Sequence, residues 1–179
     1  MLGLPDWFEE AREGLRPRAL EFAILTAART GEVIGATWAE IDLQGRLWII
    51  PGKRQAASTV YPSAKAVARL LVGLDPRGDG ARLFPVSNMA MLMLLRRMGR
   101  GDLTVHGFRS TVSDWCAERT TFPSEVREIT LAHAFGDKVE AAYRRGDLFE
   151  KRRQLAEAWA TFCGGEPTGN IIRLQAPAA

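Results

Sequence analysis

The chain is poor in the residues that build disulfide scaffolds and metal sites. It has two cysteines, Cys116 and Cys163, which lie 47 positions apart, and it has no Cys-x-x-Cys pair. Its two histidines, His106 and His133, also lie far apart in the sequence. We therefore expect neither a disulfide framework nor a bound metal, and the low cysteine content fits the reducing cytoplasm.

The chain also lacks segments that direct a protein to a membrane or out of the cell. No apolar run approaches the roughly 20 residues of a membrane span. The first residues, MLGLPDWFEE, have neither the basic start nor the apolar core of a secretory signal. We expect a cytoplasmic protein without membrane contact. The sequence contains no phosphate-binding GxxxxGKS/T loop and no GxSxG elbow, and we expect no cofactor.

Positive charge is present, but it is unevenly distributed. The 24 basic and 21 acidic residues leave a net charge of +3. Arginines crowd the second half, in LLRRMGRG (94–101), AYRRGD (142–147) and EKRRQL (150–155). Clusters of this kind are commonly solvated helix faces. Because guanidinium groups also pair with phosphate oxygens in a bidentate manner, the alternative is a phosphate-rich partner such as a nucleic acid.

Hydrophobic periodicity predicts a mostly helical chain with a small sheet. The apolar spacing after residue 17 is that of a helix ended by Gly31, and 32–37 forms a short second helix. Two β-rich arms within 41–51 flank Gln44 and Gly45, and 58–63 supplies a third strand. The predicted fold class is mainly α with a small antiparallel three-stranded sheet (α+β). Further helices are predicted over 63–74, 87–99 with Ser87 as N-cap, 108–119, from Pro123 onward, 137–145 and 147–163.

No repeat and no internal boundary divides the sequence. We therefore predict one domain over 1–163. The remaining stretch, GGEPTGNIIRLQAPAA (164–179), is interrupted by glycine and proline and is expected to form a flexible tail.

The few polar residues that could carry chemistry each have an ordinary structural interpretation. Arg29 is compatible with a partner for a helix C-terminal dipole, and His106 with a helix cap. Arg109 follows His106 by three residues, which is about one helical turn. His133 is compatible with a hydrogen-bonded helix end, and Tyr143 with a core position. None of these residues indicates a function alone.

Together and in order, the surrounding segments resemble the catalytic domain of the tyrosine recombinases, the phage integrase family. TAARTGEV (26–33) is similar to the first arginine box, and HGFR (106–109) to the His-x-x-Arg box. LAH (131–133) is similar to the third basic position, and AAYRRGDLFEKRR (141–153) to the segment around the nucleophile. The amino-acid sequences of these segments most resemble those of integrases of prophages and satellite phages. The resemblance covers residues 20–163.

The resemblance implies an enzyme that cleaves and rejoins double-stranded DNA through a covalent 3′-phosphotyrosyl intermediate. Tyr143 is then the nucleophile, and Arg29 and Arg109 hold the non-bridging oxygens of the scissile phosphate. His106 assists proton transfer, and His133 hydrogen-bonds to the same phosphate. The covalent intermediate conserves the bond energy, so the reaction requires neither ATP nor a metal.

Two features depart from the family pattern. Members usually carry a lysine in the turn between the second and third strands, but the shorter stretch PGKRQAASTVYP (51–62) has alanine near that position. Lys53 and Arg54 precede the turn and are the candidates to replace it. The core-binding and arm-binding domains of full integrases are not expected within this chain, so it is predicted to bind DNA weakly.

These departures leave several functions open. The chain is an active recombinase domain, or a DNA-binding remnant of an integrase that keeps the fold without turnover. A type IB topoisomerase-like activity would use the same tyrosine chemistry, and an unrelated helical domain would make the match accidental. We expect a monomer in solution, and the resemblance implies a tetramer on DNA through exchange of the tail from Gly164.

Overall fold

The computed structural model of the protein describes residues 14–51, 58–60, 74, 78, 80–131 and 148–164. Within these residues the chain is mainly helical and carries one small antiparallel sheet, which confirms this part of the predicted fold class. The helices predicted over 63–74 and 137–145 lie outside the described residues, as does the tail beyond Gly164, so these predictions stay untested.

Among the described residues, two α-helices precede the sheet and four follow it. The helices are α1 (Leu15–Thr26), α2 (Thr30–Gly35), α3 (Ala90–Arg97), α4 (Gly107–Arg119), α5 (Ser124–Thr130) and α6 (Phe149–Cys163). The positions of α4 and α6 agree with the predicted helices over 108–119 and 147–163 to within two residues. Along the described stretches, no helix is both long and apolar enough to cross a membrane.

The sheet pairs β1 (Ile41–Asp42), β2 (Leu47–Ile50) and β3 (Ser58–Val60) in that order, and both pairings are antiparallel. The turn between β1 and β2 contains Gln44 and Gly45, as predicted. The Gly45 N–H donates to Asp42 Oδ1 at 2.8 Å. A Cβ atom at position 45 would lie only 2.4 Å from Asp42 Oδ2, so a larger residue there would displace the Asp42 side chain from this bond.

Helix α1 forms the centre of the core, because nearly all of its residues are buried. Phe22 packs against Trp48 of β2 and against Phe84, with ring centroids 5.0 and 5.4 Å apart. Trp159 of α6 donates its indole N–H to the Ile24 carbonyl at 2.9 Å. Contacts with the sheet and with α6 therefore fix helix α1. The residues that follow its C-terminal end are held in place as a result.

A second aromatic cluster joins α4 to α6. The ring centroid of Trp115 lies 5.1 Å from that of Trp159 and 5.5 Å from that of Phe162. The rings of Trp159 and Phe162 stack with their centroids 5.4 Å apart. Aromatic pairs at such distances add to the free energy gained by burying their apolar area. The cluster sets the position of α4 against the helices that surround α1.

The predicted end of the first helix is wrong, because α1 ends at Thr26 and Gly31 lies inside α2. Ala27 adopts a left-handed conformation with φ 52°, a position that glycine more often occupies. The Thr26 hydroxyl donates to the Phe22 carbonyl at 2.6 Å and accepts from the Ala28 N–H at 3.4 Å. These local side-chain bonds compete with the helical pattern and help to close the last turn early.

The predicted N-cap of the next helix is also wrong. Helix α3 begins at Ala90, and Met89 occupies the N-cap position without a side-chain capping bond. Ser87 instead contributes its backbone carbonyl, which accepts from the Ala90 N–H at 3.0 Å. The serine thus belongs to the turn that precedes the helix.

We expect both cysteines to resist thiol reagents in the folded protein. Burial raises the pKa of Cys116, and burial together with the negative charge of Glu21 raises the pKa of Cys163. The reactive thiolate is therefore scarce at pH 8, and both side chains are almost inaccessible. A chromogenic disulfide reagent should label neither cysteine in buffer and both in urea. Rapid labelling of the native protein would contradict this packing.

Candidate functional site

Arg109 lies on the buried face of α4. The inward-facing residues of this helix are Arg109, Val112, Trp115 and Cys116, at the spacing of one helix face. Only 6% of Arg109 is exposed, although its neighbours on that face are hydrophobic. A guanidinium group at such a position needs hydrogen-bond acceptors, since burying an unpaired charge costs a large free energy.

The acceptors of Arg109 are two backbone carbonyl groups at helix ends. Its Nη1 donates to the carbonyl of Ala27, and its Nη2 donates to the carbonyl of Leu131. Ala27 is the C-cap of α1, and Leu131 is the C-cap of α5. Carbonyl groups at helix C-termini lack intrahelical partners and carry partial negative charge. One side chain therefore joins the ends of α1 and α5 to α4.

Arg29 lies two residues after Ala27, at the N-cap position of α2. Its Nη1 donates to Glu32 Oε1 at 2.8 Å, and its backbone N–H donates to Glu32 Oε2 at 2.7 Å. The Arg29 side chain is 44% exposed. Helix α1 ends at Thr26 and has no basic residue in its last turn, so Arg29 stands beyond that helix, at the start of α2.

Arg29 and Arg109 lie within electrostatic range of each other. Burial lowers the pKa of Arg109, and the positive charge of Arg29 lowers it further. The carboxylate of Glu32 acts in the opposite direction and raises the pKa of Arg109. Two like charges held within interaction range oppose each other, and an anion placed between them would relieve this repulsion.

His106 stands at the start of α4 with its side chain exposed. The alternative that its imidazole caps this helix is wrong, because the side chain makes no capping bond. Thr104 performs that role, with its hydroxyl accepting from the Gly107 N–H at 3.0 Å. The His106 carbonyl accepts from the Arg109 N–H at 3.0 Å, so the two residues share the first turn. The imidazole is left to face solvent.

Three of the five predicted site residues lie in the part of the chain that the structure describes. Arg29 and Arg109 share an electrostatic neighbourhood, and His106 adjoins Arg109 on α4. His133 and Tyr143 lie outside the described residues, so their placement stays a prediction. Lys53 and Arg54, the candidates for the missing turn lysine, also lie outside them.

Sequence reasoning missed Glu32. This residue orients the Arg29 side chain and partly offsets the charge of Arg109. A sequence signal for it was present, because a glutamate three residues after an N-cap position reaches back to the N-cap N–H. The signal was hidden because Gly31 was assigned to a helix end, which moved the predicted start of the second helix.

Curated proteins of known type share sequence with this chain. It is 27% identical over 148 residues to the prophage integrase IntS of Escherichia coli K12 and to the integrase of Shigella phage Sf6. It is 27% identical over 171 residues to the integrase of Enterobacteria phage P4. These alignments cover 75%, 75% and 80% of this chain.

The same alignments cover 38%, 38% and 39% of the three relatives. The chain thus spans about two-fifths of the length of the curated relatives it matches. No protein-family model matches the chain, and no solved structure matches it significantly.

We expect Arg109→Ala to destabilise the fold and Arg29→Ala to leave it nearly unchanged. Removal of Arg109 deprives two buried helix-end carbonyls of charged donors, which should lower the free energy of unfolding by about 3–5 kcal/mol. Arg29 is exposed, and its ion pair should contribute less than about 1 kcal/mol. Urea denaturation followed by tryptophan fluorescence measures both values. Equal effects of the two substitutions would contradict a structural role for Arg109.

Proposed function

Because the chain is a relative of the phage integrases, we propose that it is the catalytic domain of a site-specific DNA recombinase. In this proposal it cleaves and rejoins DNA through a covalent 3′-phosphotyrosyl intermediate. The catalytic residues are Arg29, His106, Arg109, His133 and Tyr143. The partner is double-stranded DNA at attachment sites, and subunits exchange residues 164–179 when four of them assemble on it.

The observation that carries the proposal is that Arg109 bonds the carbonyl of Ala27, two residues before Arg29, where the ends of α1 and α5 meet α4. Arg109 is buried and held by two carbonyls, whereas Arg29 is exposed and held by Glu32. A guanidinium group has five N–H donors, and the two carbonyls engage two of those of Arg109. Paired guanidinium groups supply the N–H donors and positive charge that favour a phosphate group.

The proposed cleavage step is balanced within the protein and the DNA. The Tyr143 phenol oxygen forms a bond to phosphorus, and the bond between phosphorus and the 5′ oxygen breaks. The phenol loses its proton and the 5′ oxygen gains one, with His106 assisting this transfer. His133 hydrogen-bonds to the scissile phosphate. Arg29 and Arg109 offset the negative charge that grows on the non-bridging oxygens in the transition state.

A covalent-trapping experiment tests the nucleophile. We expect the wild-type chain to form an SDS-resistant adduct with a pool of randomised duplexes, each nicked beside a fixed phosphate so that the cut fragment escapes. The adduct should form in the presence of EDTA, since a tyrosine nucleophile needs no metal. Tyr143→Phe should abolish it. Tyr61→Phe is the matched control, because Tyr61 is the other of the two tyrosines in the chain and should not be needed for adduct formation.

The outcomes of this experiment separate the alternatives. An adduct that persists in Tyr143→Phe would reject the assigned nucleophile. DNA binding without any adduct would support an integrase remnant that binds DNA without turnover, an alternative favoured by the alanines in the stretch 51–62. Relaxation of supercoiled plasmid without strand exchange would support the topoisomerase-like activity.

We further expect Arg29→Ala to slow adduct formation by about a hundred- to a thousandfold, the usual loss when one preorganised donor to a developing oxyanion is removed. Arg46→Ala is the matched control, since Arg46 also forms an exposed ion pair, with Glu157 at 3.3 Å, but lies in the β1–β2 turn. Because both variants should stay folded, single-turnover rates report on chemistry. Equal rates for the two variants would remove Arg29 from the proposed clamp.

A further inference from the structure

A second arginine site lies in the turn between α3 and α4. Arg100 Nε donates to Asp102 Oδ1 at 3.0 Å, and Arg100 Nη2 donates to Asp102 Oδ2 at 2.7 Å. The two side chains therefore meet in a bidentate geometry, with both carboxylate oxygens engaged. The Arg100 side chain is 32% exposed and that of Asp102 is 61% exposed. The pair faces solvent rather than the core.

The backbone around Arg100 is held independently of Asp102. The Arg100 N–H donates to the Leu95 carbonyl at 2.8 Å, which folds the turn against the last turn of α3. The Arg100 carbonyl accepts from the Leu103 N–H at 3.2 Å. Loss of the Asp102 carboxylate should therefore leave the position of the Arg100 main chain unchanged.

Other basic groups lie beside this turn. Arg96 and Arg97 occupy the last turn of α3, and both are exposed. A Cβ atom built on Gly101 would lie 4.0 Å from the Arg96 Cγ, so the Arg96 stem runs close to the turn. The three arginines thus form one basic surface, of which Arg100 is the member that Asp102 holds in a fixed orientation.

This surface lies close to the candidate site along the chain. Asp102 precedes His106 by four residues, which limits the distance between their Cα atoms to at most about 15 Å. Each strand of duplex DNA carries one phosphate per about 3.4 Å of helix axis. If a scissile phosphate occupies the proposed Arg29 and Arg109 site, a phosphate a few positions away on the same strand is the expected partner of this turn.

We infer that the Asp102 carboxylate occupies the place of a DNA phosphate on Arg100. When DNA binds, a phosphate displaces this carboxylate from Arg100. This inference rests on the proposed function. A carboxylate and a phosphate both offer two oxygens to the planar guanidinium fork, so the same Arg100 orientation serves both partners. An exposed ion pair is screened by salt and contributes little to stability, so a phosphate can replace the carboxylate without loss of folding.

The inference predicts that Asp102 competes with DNA. Asp102→Asn should strengthen binding of the full chain to a 30-base-pair duplex about three- to tenfold in 100 mM salt, because the carboxylate that engages Nε and Nη2 of Arg100 is lost. Asp114→Asn is the matched control. It removes the same charge from an exposed position on α4, and Asp114 has no ion pair among the residues the structure describes. Its effect should be clearly smaller.

A second variant tests whether Arg100 itself contacts phosphate. Arg100→Ala should weaken binding and reduce the slope of log affinity against log salt concentration by about 0.9, the value for one lost phosphate contact. In the Arg100→Ala background, Asp102→Asn should no longer strengthen binding beyond the effect of Asp114→Asn. Thermal unfolding of each variant verifies that the fold is retained.

The outcomes distinguish this inference from the proposed function. If the wild-type chain fails to bind the duplex, the proposed function is rejected and the inference with it. If the wild type binds but Asp102→Asn and Asp114→Asn behave alike, the inference alone is rejected. An unchanged salt slope in Arg100→Ala would also reject the inference while leaving the recombinase assignment intact.

Discussion

The guanidinium group of Arg109 donates to the Ala27 and Leu131 carbonyls, and through these bonds it joins the ends of three helices. Without it, two helix C-termini would meet in the core with unsatisfied carbonyl groups and partial charges of the same negative sign. Each acceptor also stands two residues before another predicted site residue: Ala27 before Arg29, and Leu131 before His133. The proposed phosphate clamp is therefore organised around a bond that the fold itself requires.

The structural role of Arg109 and its proposed role in holding a phosphate together have an energetic consequence. The buried charge of Arg109 is unfavourable in itself, because burial and the nearby Arg29 both lower its pKa. The carbonyl dipoles and the carboxylate of Glu32 offset part of that cost. An arginine fixed in this way is already oriented when an anion arrives, so little reorganisation opposes the growth of charge in a transition state. A loss of activity in an Arg109 variant would therefore reflect impaired folding as much as impaired chemistry. A variant of the exposed Arg29 should affect the chemistry without affecting the fold.

The sequence predicted the elements whose signals are local. Apolar spacing predicts helices α4 and α6, because the residues involved are close in sequence. Turn residues likewise predict the turn at Gln44 and Gly45. The burial of Arg109 could not be predicted in the same way, because its acceptors lie 82 and 22 residues away along the chain. Hydrophobic patterning treats arginine as a surface residue, and only the family resemblance placed it in a site. The early end of α1 was missed because Thr26 and Ala27 end the helix without glycine.

Ion pairing limits how much of the positive charge of this chain, whose net charge is +3, is open to an anion. Four of the described arginines pair with carboxylates: Arg29 with Glu32, Arg46 with Glu157, Arg100 with Asp102, and Arg127 with Glu128. These carboxylates orient the guanidinium groups and weaken their attraction for DNA at large. Arg109 differs, because within the described part of the chain its direct partners are carbonyl dipoles that carry no formal charge. The charge of Arg109 is therefore held by dipoles rather than cancelled by a contacting carboxylate, which is why the proposed phosphate clamp is placed where the helix ends meet.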